Sequence, residues 1–480
     1  MNSRVKKILD LFEEINKVPR KSKNEAKISQ WLMDWAEKHG FEAERDEVMN
    51  VLIRVPATAG YENKPVIVFQ GHMDMVCEKT PESRHDFSKD PIKHVYNGDW
   101  LKADCTTLGA DNGIALAIAL ELATDKTVLH PPMEILFTVD EETGLTGANA
   151  LKPGWLKGKV LLNLDSEDEG IFTVGCAGGR DTKINFKPEW VKPCSECKNV
   201  EIKVAGLSGG HSGVDIKLQR GNANQILARI LDNLAASCEL KIVSIDGGSA
   251  HNAIPRDAFS IISVKKDDLA KVSDIVEKTA AKIKAEFKKT DPDMTITVKE
   301  MKDLSDPVMS SSDSVKLINM MMSMPHGVAA MSGDIEGLVE TSSNFATVKM
   351  SEGVVSLLSS QRSSVASRIE WITRKVEKSA FVADAEFKSG NGYPGWEPDM
   401  ESGLLAKCIS IYEKLYGTKP VVEVIHAGLE CGIIGSKNEG MEMISYGPTI
   451  KNPHSPDEKM FVPSIEKIWD FTVELLKSYC

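Results

Sequence analysis

The sequence predicts an α/β fold: a discontinuous domain with a mixed, mostly parallel sheet flanked by helices, formed from both ends of the chain, with an α+β lid domain inserted between them. Three observations predict it. Short apolar runs in the first third alternate with helical stretches. The middle of the chain changes to strands of alternating pattern separated by longer helices. After about residue 389 the first style resumes.

The opening stretch, MNSRVKKILDLFEEINKVPR, sets Ile, Leu and Phe at helical spacing among charges. It lacks the apolar core and small-residue cleavage site of a secretory signal, so it reads as an amphipathic first helix. Residues 66–70 (VIVFQ), 134–139 (EILFTV) and 160–164 (VLLNL) read as buried strands, with a helix from Ile114 to Ala123 between them. Each run passes at once into polar, acidic or glycine-rich sequence, and ligands of such sheets gather at the carboxyl ends of the strands.

In the middle, strands are predicted at 199–205, 239–245, 258–264 and 294–300, with helices at 221–237 and 267–288. A similar order returns over 305–388, which raises the prospect of two related halves. GNGYPGWEP, from residue 390, is a turn-rich boundary. A helix at 402–416, strands at 420–425 and 442–445, and a final helix from about 464 follow. The domains are therefore set at 1–182 with 390–480, and at 183–389 for the lid.

Charge and cysteine usage exclude some functions. With 58 basic and 70 acidic residues the net charge is −12. Such a surface repels nucleic acid and anionic membranes, so neither is expected as a partner. No run approaches the ~18 apolar residues of a membrane span. The nine cysteines are scattered, and the single CxxC of Cys194 and Cys197 has no second pair. That pattern fits a reducing cytosol and not a disulfide framework or a closed zinc knuckle.

Acids and histidines cluster just after strands or in loops. His72 and Asp74 follow VIVFQ, and residues i and i+2 of an extended segment point the same way. Asp111 precedes the helix at Ile114. Asp140, Glu141 and Glu142 follow a strand, Asp165 follows VLLNL, and His454 lies in NPHSPDE. Singly these are ordinary: a helix cap, a solvated turn, a surface histidine. Together, at strand ends ~4.8 Å apart, unbalanced carboxylates would raise one another's pKa. Divalent cations balance them, and mixed histidine and carboxylate ligands suit zinc, manganese or cobalt. Two histidines and three acids suffice for two cations if one carboxylate bridges. A pair of cations ~3.5–4 Å apart activates water and polarises a carbonyl, and a free carboxylate is still needed to move the proton. Of Glu141 and Glu142, one serves the cation and one the proton; spacing leaves open which.

GHMDMV, TTLGADNG, DEETG, NLDSEDEG, GGHSGVDI, HNAIPR, HAGLECG and SYGPTIKNPHSPDE occur in this order. The set resembles the aminoacyl-histidine dipeptidases (Xaa-His or carnosinase-type dipeptidases) of the wider di-zinc superfamily of aminoacylases, tripeptidases and carboxypeptidases. The resemblance runs the length of the chain. It implies two Zn2+ per chain, with Mn2+ or Co2+ as substitutes. It implies His72 and Asp165 on one ion, Glu142 and His454 on the other, and Asp111 as bridge. Asp74 would orient His72, Glu141 would be the general base, and the Asp111–Asn112 peptide would be cis. In the lid, the resemblance assigns His211 to the oxyanion and Asn252 and Arg362 to the substrate carboxylate. Gly428 would let backbone approach the substrate. Cys105 departs from the pattern, standing where the family has glycine.

The implied activity is hydrolysis of dipeptides with preference for carboxyl-terminal histidine, in the cytoplasm, on a small peptide substrate. Tripeptides, N-acyl amino acids or other dipeptides are the alternatives with the same chemistry. A non-catalytic peptide-binding homologue is the alternative of another class. The resemblance also allows a homodimer, since single-lid relatives borrow a lid histidine from a partner, whereas a doubled lid supplies it within one chain.

Overall fold

The computed structural model describes residues 2–302, 307–333 and 335–480. It divides into two units. The first comprises the chain up to Cys176, then Trp396–Val424 and Leu429–Cys480; the second comprises Ala177–Gly395 and Ile425–Gly428. The boundaries thus fall at 176/177 and 395/396, not at 182/183 and 389/390, and the short segment 425–428 joins the second unit. The reason is the strand Gly178–Phe186. It pairs with Val354–Ser363 on one side and Glu386–Ser389 on the other, both in the second unit. Tyr393 extends that pairing by exchanging backbone hydrogen bonds of 2.9 and 3.1 Å with Gly179.

The first unit is built on an eight-stranded sheet. Its order is Glu42–Arg45, Val51–Val55, Met133–Thr138, Ile67–His72, Val160–Asn163, Glu442–Ser445, Ile171–Cys176, Val421–Ile425. Parallel pairs join the four central strands, Met133–Thr138 through Glu442–Ser445. Every residue of Met133–Thr138, Ile67–His72 and Val160–Asn163 is buried, which explains their unbroken apolar reading. The outer pairs Glu42–Arg45 with Val51–Val55, and Val51–Val55 with Met133–Thr138, are antiparallel. The helix Ala110–Thr124 is apolar on nearly all sides and correspondingly buried from Ala110 to Leu122, apart from Asp111. The amphipathic first helix, Ser3–Asn16, packs beside it through Val5, Ile8, Leu9, Phe12 and Ile15.

The second unit holds two copies of one strand–helix–strand–strand–helix–strand motif. The first copy runs Cys197–Ala205, helix Ala223–Ala235, Leu240–Gly247, Ala258–Lys265, helix Leu269–Glu286, Thr295–Glu300. Numbered within the copy, its strands lie in the order 4-1-3-2. The second copy takes Gly178–Phe186 as its first strand. It continues after the first copy with helix Ser311–Ser323, strands Val339–Ser351 and Val354–Ser363, helix Ala366–Phe381 and strand Glu386–Ser389. Its order along the same sheet is 2-3-1-4, the mirror of the first. The copies meet antiparallel through their second strands, Asp246 opposite Lys349. The repeat expected over 305–388 therefore begins far earlier, at 178, with one copy nested inside the other. One apolar core, including Ile202, Leu227, Ile262, Leu317, Phe345, Leu357 and Val376, serves both copies. Among the described residues no helix is long and apolar enough to cross a membrane.

Candidate active site and metal centre

His72 ends the Ile67–His72 strand, Glu141 and Glu142 follow Met133–Thr138, and Asp165 follows Val160–Asn163. These strands are parallel neighbours, so their carboxyl ends deliver the side chains to one place. Asp111 comes from the start of the Ala110–Thr124 helix, where its backbone and that of Asn112 are non-helical and their peptide is cis. His454 comes from a loop, with φ of 58°.

The side chains form two clusters sharing one carboxylate. His72 Nε2 lies 3.0 Å from Oδ1 of Asp111 and 3.4 Å from Oδ1 of Asp165. His454 Nε2 lies 3.1 Å from Oδ2 of Asp111 and 3.0 Å from Oε2 of Glu142. Both triads, His72–Asp111–Asp165 and Asp111–Glu142–His454, have ligand atoms close enough to hold a metal ion. Each oxygen of Asp111 thus faces a different histidine.

The electrostatics show that the site calls for cations. Two like charges ~4 Å apart repel by about 4 kcal/mol at an effective dielectric of ~20. The chain meets this with protons. His454 is pushed up to about 11 by Asp111 and Glu142. Burial works against charge on His72, but Asp165, Asp111 and Asp74 outweigh it and hold its pKa well above the ordinary value. Burial, reinforced by its acidic neighbours, pushes Asp165 up to about 6 and Glu141 well above the usual carboxylate range. In addition, Oε1 of Glu142 is buried with no hydrogen-bond partner. An orphaned carboxylate oxygen, two histidines and a shared aspartate are the donor set that a pair of divalent cations requires.

Asp74, fully buried, faces Nδ1 of His72 at 3.2 Å. It also accepts hydrogen bonds from Ser22 Oγ at 2.8 Å and the Glu141 N–H at 3.0 Å. A neighbouring buried group of Glu25, Asp74 and Asp140 is already satisfied by hydrogen bonds. Glu25 accepts the N–H groups of Lys23 and Asp140, while Asp140 accepts the hydroxyls of Thr143 and Thr146.

The lid residues fall in the second unit. His211 Nδ1 accepts the N–H groups of Gly213 and Val214, each at 3.2 Å. Burial, then Arg362, lowers its pKa, so the ring is neutral with its proton on Nε2. Arg362 is buried, donates from Nη1 to the Tyr393 hydroxyl at 3.0 Å, and leaves Nε without a partner. A Cβ built on Gly213 would stand 3.1 Å from His211 Cε1, 3.3 Å from Arg362 Nε and 2.2 Å from the His426 carbonyl. These groups therefore surround one point. Asn252 is exposed, and its carbonyl accepts the Ser212 N–H at 2.8 Å. A Cβ on Gly428 would meet the Tyr393 ring at 2.7 Å, so glycine there makes room for that tyrosine.

Several residues of this machinery escaped sequence reasoning. Arg20, buried, donates to the carbonyls of Met73, Asp74 and Gly109, tying the His72 segment to the Asp111 loop. Glu458 accepts backbone N–H groups of that loop. Glu430, buried, accepts from Gln70 and Thr138, each at 2.6 Å, while its Oε1 has no partner. Tyr393 and His426 complete the lid cluster, His426 Nε2 lying 2.7 Å from Ser342 Oγ. Cys105, exposed, adopts φ of 61°, the left-handed backbone that explains why glycine is expected there.

Fold and site together define a metallopeptidase. Residues 202–291, within the first copy of the lid motif, match the Peptidase dimerisation domain family. The chain is 37% identical over 470 residues to the cytosol non-specific dipeptidase of Escherichia coli (strain K12), covering 98% of this chain and 96% of that one. The crystal structure of aminoacylhistidine dipeptidase from Vibrio alginolyticus superposes with a TM-score of 0.91 at 39% identity, over 98% of this chain and 96% of that one. The aminopeptidase PepT from Bacillus cereus ATCC 10987 shares the fold, with a TM-score of 0.58 at 18% identity over 99% and 98% of the two chains. The chain belongs to the M20 family of metallopeptidases, in the dipeptidase group of the first two relatives, and is a hydrolase.

Proposed function

We propose that this enzyme hydrolyses dipeptides, with preference for carboxyl-terminal histidine, using two zinc ions shared by Asp111 and Glu141 as general base. The observation that carries the reading is the Asp111 carboxylate, with one oxygen toward His72 and the other toward His454. His72 and Asp165 would hold one ion and Glu142 and His454 the other. Bound there, the pair supplies Lewis acidity toward the peptide carbonyl and a water nucleophile near neutral pH. Glu141 takes the proton from that water and returns it to the leaving amine; its raised pKa lets it hold the proton between the two transfers. Asp74 keeps His72 in the tautomer that presents Nε2. His211 offers an Nε2–H donor to the developing oxyanion. Arg362, oriented by Tyr393, takes the substrate carboxylate, with Asn252 assisting.

Preference for Xaa-His draws support from the name of the Vibrio relative. The name of the Escherichia coli relative favours a broader reading, dipeptides in general. A kinetic panel of β-alanyl-histidine, Xaa-His, other dipeptides, triglycine and acetyl-amino acids separates them. The histidine reading expects the highest kcat/KM on Xaa-His. Equal turnover of unrelated dipeptides supports the broader one, and better turnover of triglycine or acetyl-amino acids removes both. A cytosolic location rests on the name of the same relative and is checked by cell fractionation. Homodimer formation rests on the dimerisation-domain match and is checked by sedimentation.

A further inference from the structure

The helix Ala110–Thr124 begins at Gly109, in the left-handed region at φ 68°, and has no capping side chain of its own. The N–H groups of the turn that leads into it, Leu108 to Asp111, would be orphaned in a buried place. Glu458 supplies the missing acceptor from 350 residues away. Its Oε2 accepts from Leu108 N at 2.8 Å and Gly109 N at 3.0 Å. Its Oε1 accepts from Ala110 N at 2.7 Å and Asp111 N at 3.4 Å. The side chain is 2% exposed. Glu458 sits in the His454 loop, which folds on itself through Glu458 N to the Ser455 carbonyl at 3.0 Å and Ser455 Oγ to the Asn452 carbonyl at 3.0 Å. One carboxylate therefore moors the loop of His454 to the backbone of Asp111. The His72 side has separate support: Asp74 on Nδ1, Asn112 Oδ1 accepting the His72 N–H at 3.2 Å, and Arg20 on the Met73 and Asp74 carbonyls.

We infer that Glu458 is a positioning residue: it holds Asp111 against His454 and so sets the affinity of the cation bound by Asp111, Glu142 and His454. The inference rests on the two-cation reading. Glu458→Gln keeps one acceptor oxygen but turns an NH2 group toward backbone N–H groups, so that part of the cradle loses its acceptor.

The test is calorimetric titration of the metal-free full chain with zinc alone, for wild type, E458Q, E458D and H454A. Wild type takes up two zinc ions in two events, and H454A identifies the event on the His454 side. In E458Q that event weakens by roughly ten- to hundredfold, as expected when a group orienting a ligand is removed, and the other changes by less than about threefold. E458D, which keeps the carboxylate one methylene short, falls between. If E458Q does not fold, the E458D titration decides by the same criterion. Equal weakening of both events would mean that Glu458 acts on the shared Asp111 and not on the His454 side, and no change in either would mean that it is only a cap for the backbone; each overturns the assignment. Fewer than two zinc events in wild type would overturn the two-cation reading, and the assignment with it.

Discussion

The backbone N–H of Glu141 donates to Oδ1 of Asp74 at 3.0 Å, and that oxygen is also the one facing Nδ1 of His72. One buried carboxylate thus fixes both a proposed metal ligand and the proposed base. Burial works against its charge, but the His72, Glu141 and Ser22 contacts prevail and hold its pKa below the usual carboxylate value.

Replacing Asp74 with Asn keeps the shape and removes the charge. Zinc affinity should fall by roughly ten- to hundredfold. Turnover should fall as well at saturating zinc, because the Glu141 backbone loses its anchor. Metal affinity and kcat are read separately; unchanged affinity would remove Asp74 from its orienting role.

Glu141→Gln separates proton transfer from metal binding. kcat should drop by roughly 10²–10⁴-fold. Two zinc ions should remain by elemental analysis, and the thermal melt should be unchanged or raised, since a buried acid is replaced by a neutral amide. Retained activity would show that another group moves the proton.

In the second unit, Arg362→Lys removes a planar fork that a lysine does not reproduce. kcat/KM on dipeptides should fall by roughly ten- to hundredfold, chiefly through KM, while amidated dipeptides, which lack the carboxylate, should lose little. His211→Ala should instead lower kcat by roughly 10²–10³-fold with metal retained. Loss of metal in H211A, or equal losses on both substrate types in R362K, would contradict these roles.

Glu430 gives the account a pH dependence. Its pKa is pushed up to about 7, mainly by burial. The folded value exceeds the unfolded one, so the stability contributed by the neutral acid is complete below about 4.5 and is lost as pH rises through about 7. Denaturation of the metal-free chain at about pH 5.5 and about pH 8 should therefore move the difference between wild type and E430Q toward E430Q, by on the order of 2 kcal/mol. A difference that stays constant would mean that Glu430 is not neutral in the folded chain.

How far the sequence was legible follows from where each signal resides. The strand Val160–Asn163 is a short buried run, and its apolar composition speaks directly. Glu142 stands out as an acid just after a strand, and Asp111 and His454 stand out only within the motifs TTLGADNG and NPHSPDE. The place of Gly178–Phe186 in the second unit is not legible in sequence, because a strand's partners are not written in its own residues. Arg20, Glu430 and Glu458 act through buried hydrogen bonds to segments remote in sequence, which leave no periodicity. The one available sign of Glu458 was a capless helix start, glycine at 109 followed by alanine. Tyr393 lay within a stretch read only as a turn-rich boundary.

The most direct measurement is anomalous diffraction at the zinc edge from crystals of the zinc-loaded enzyme. Two peaks per chain are expected, ~3.5–4 Å apart as in bridged two-metal sites, with one oxygen of Asp111 on each. A single peak, or two peaks that do not share Asp111, would contradict it.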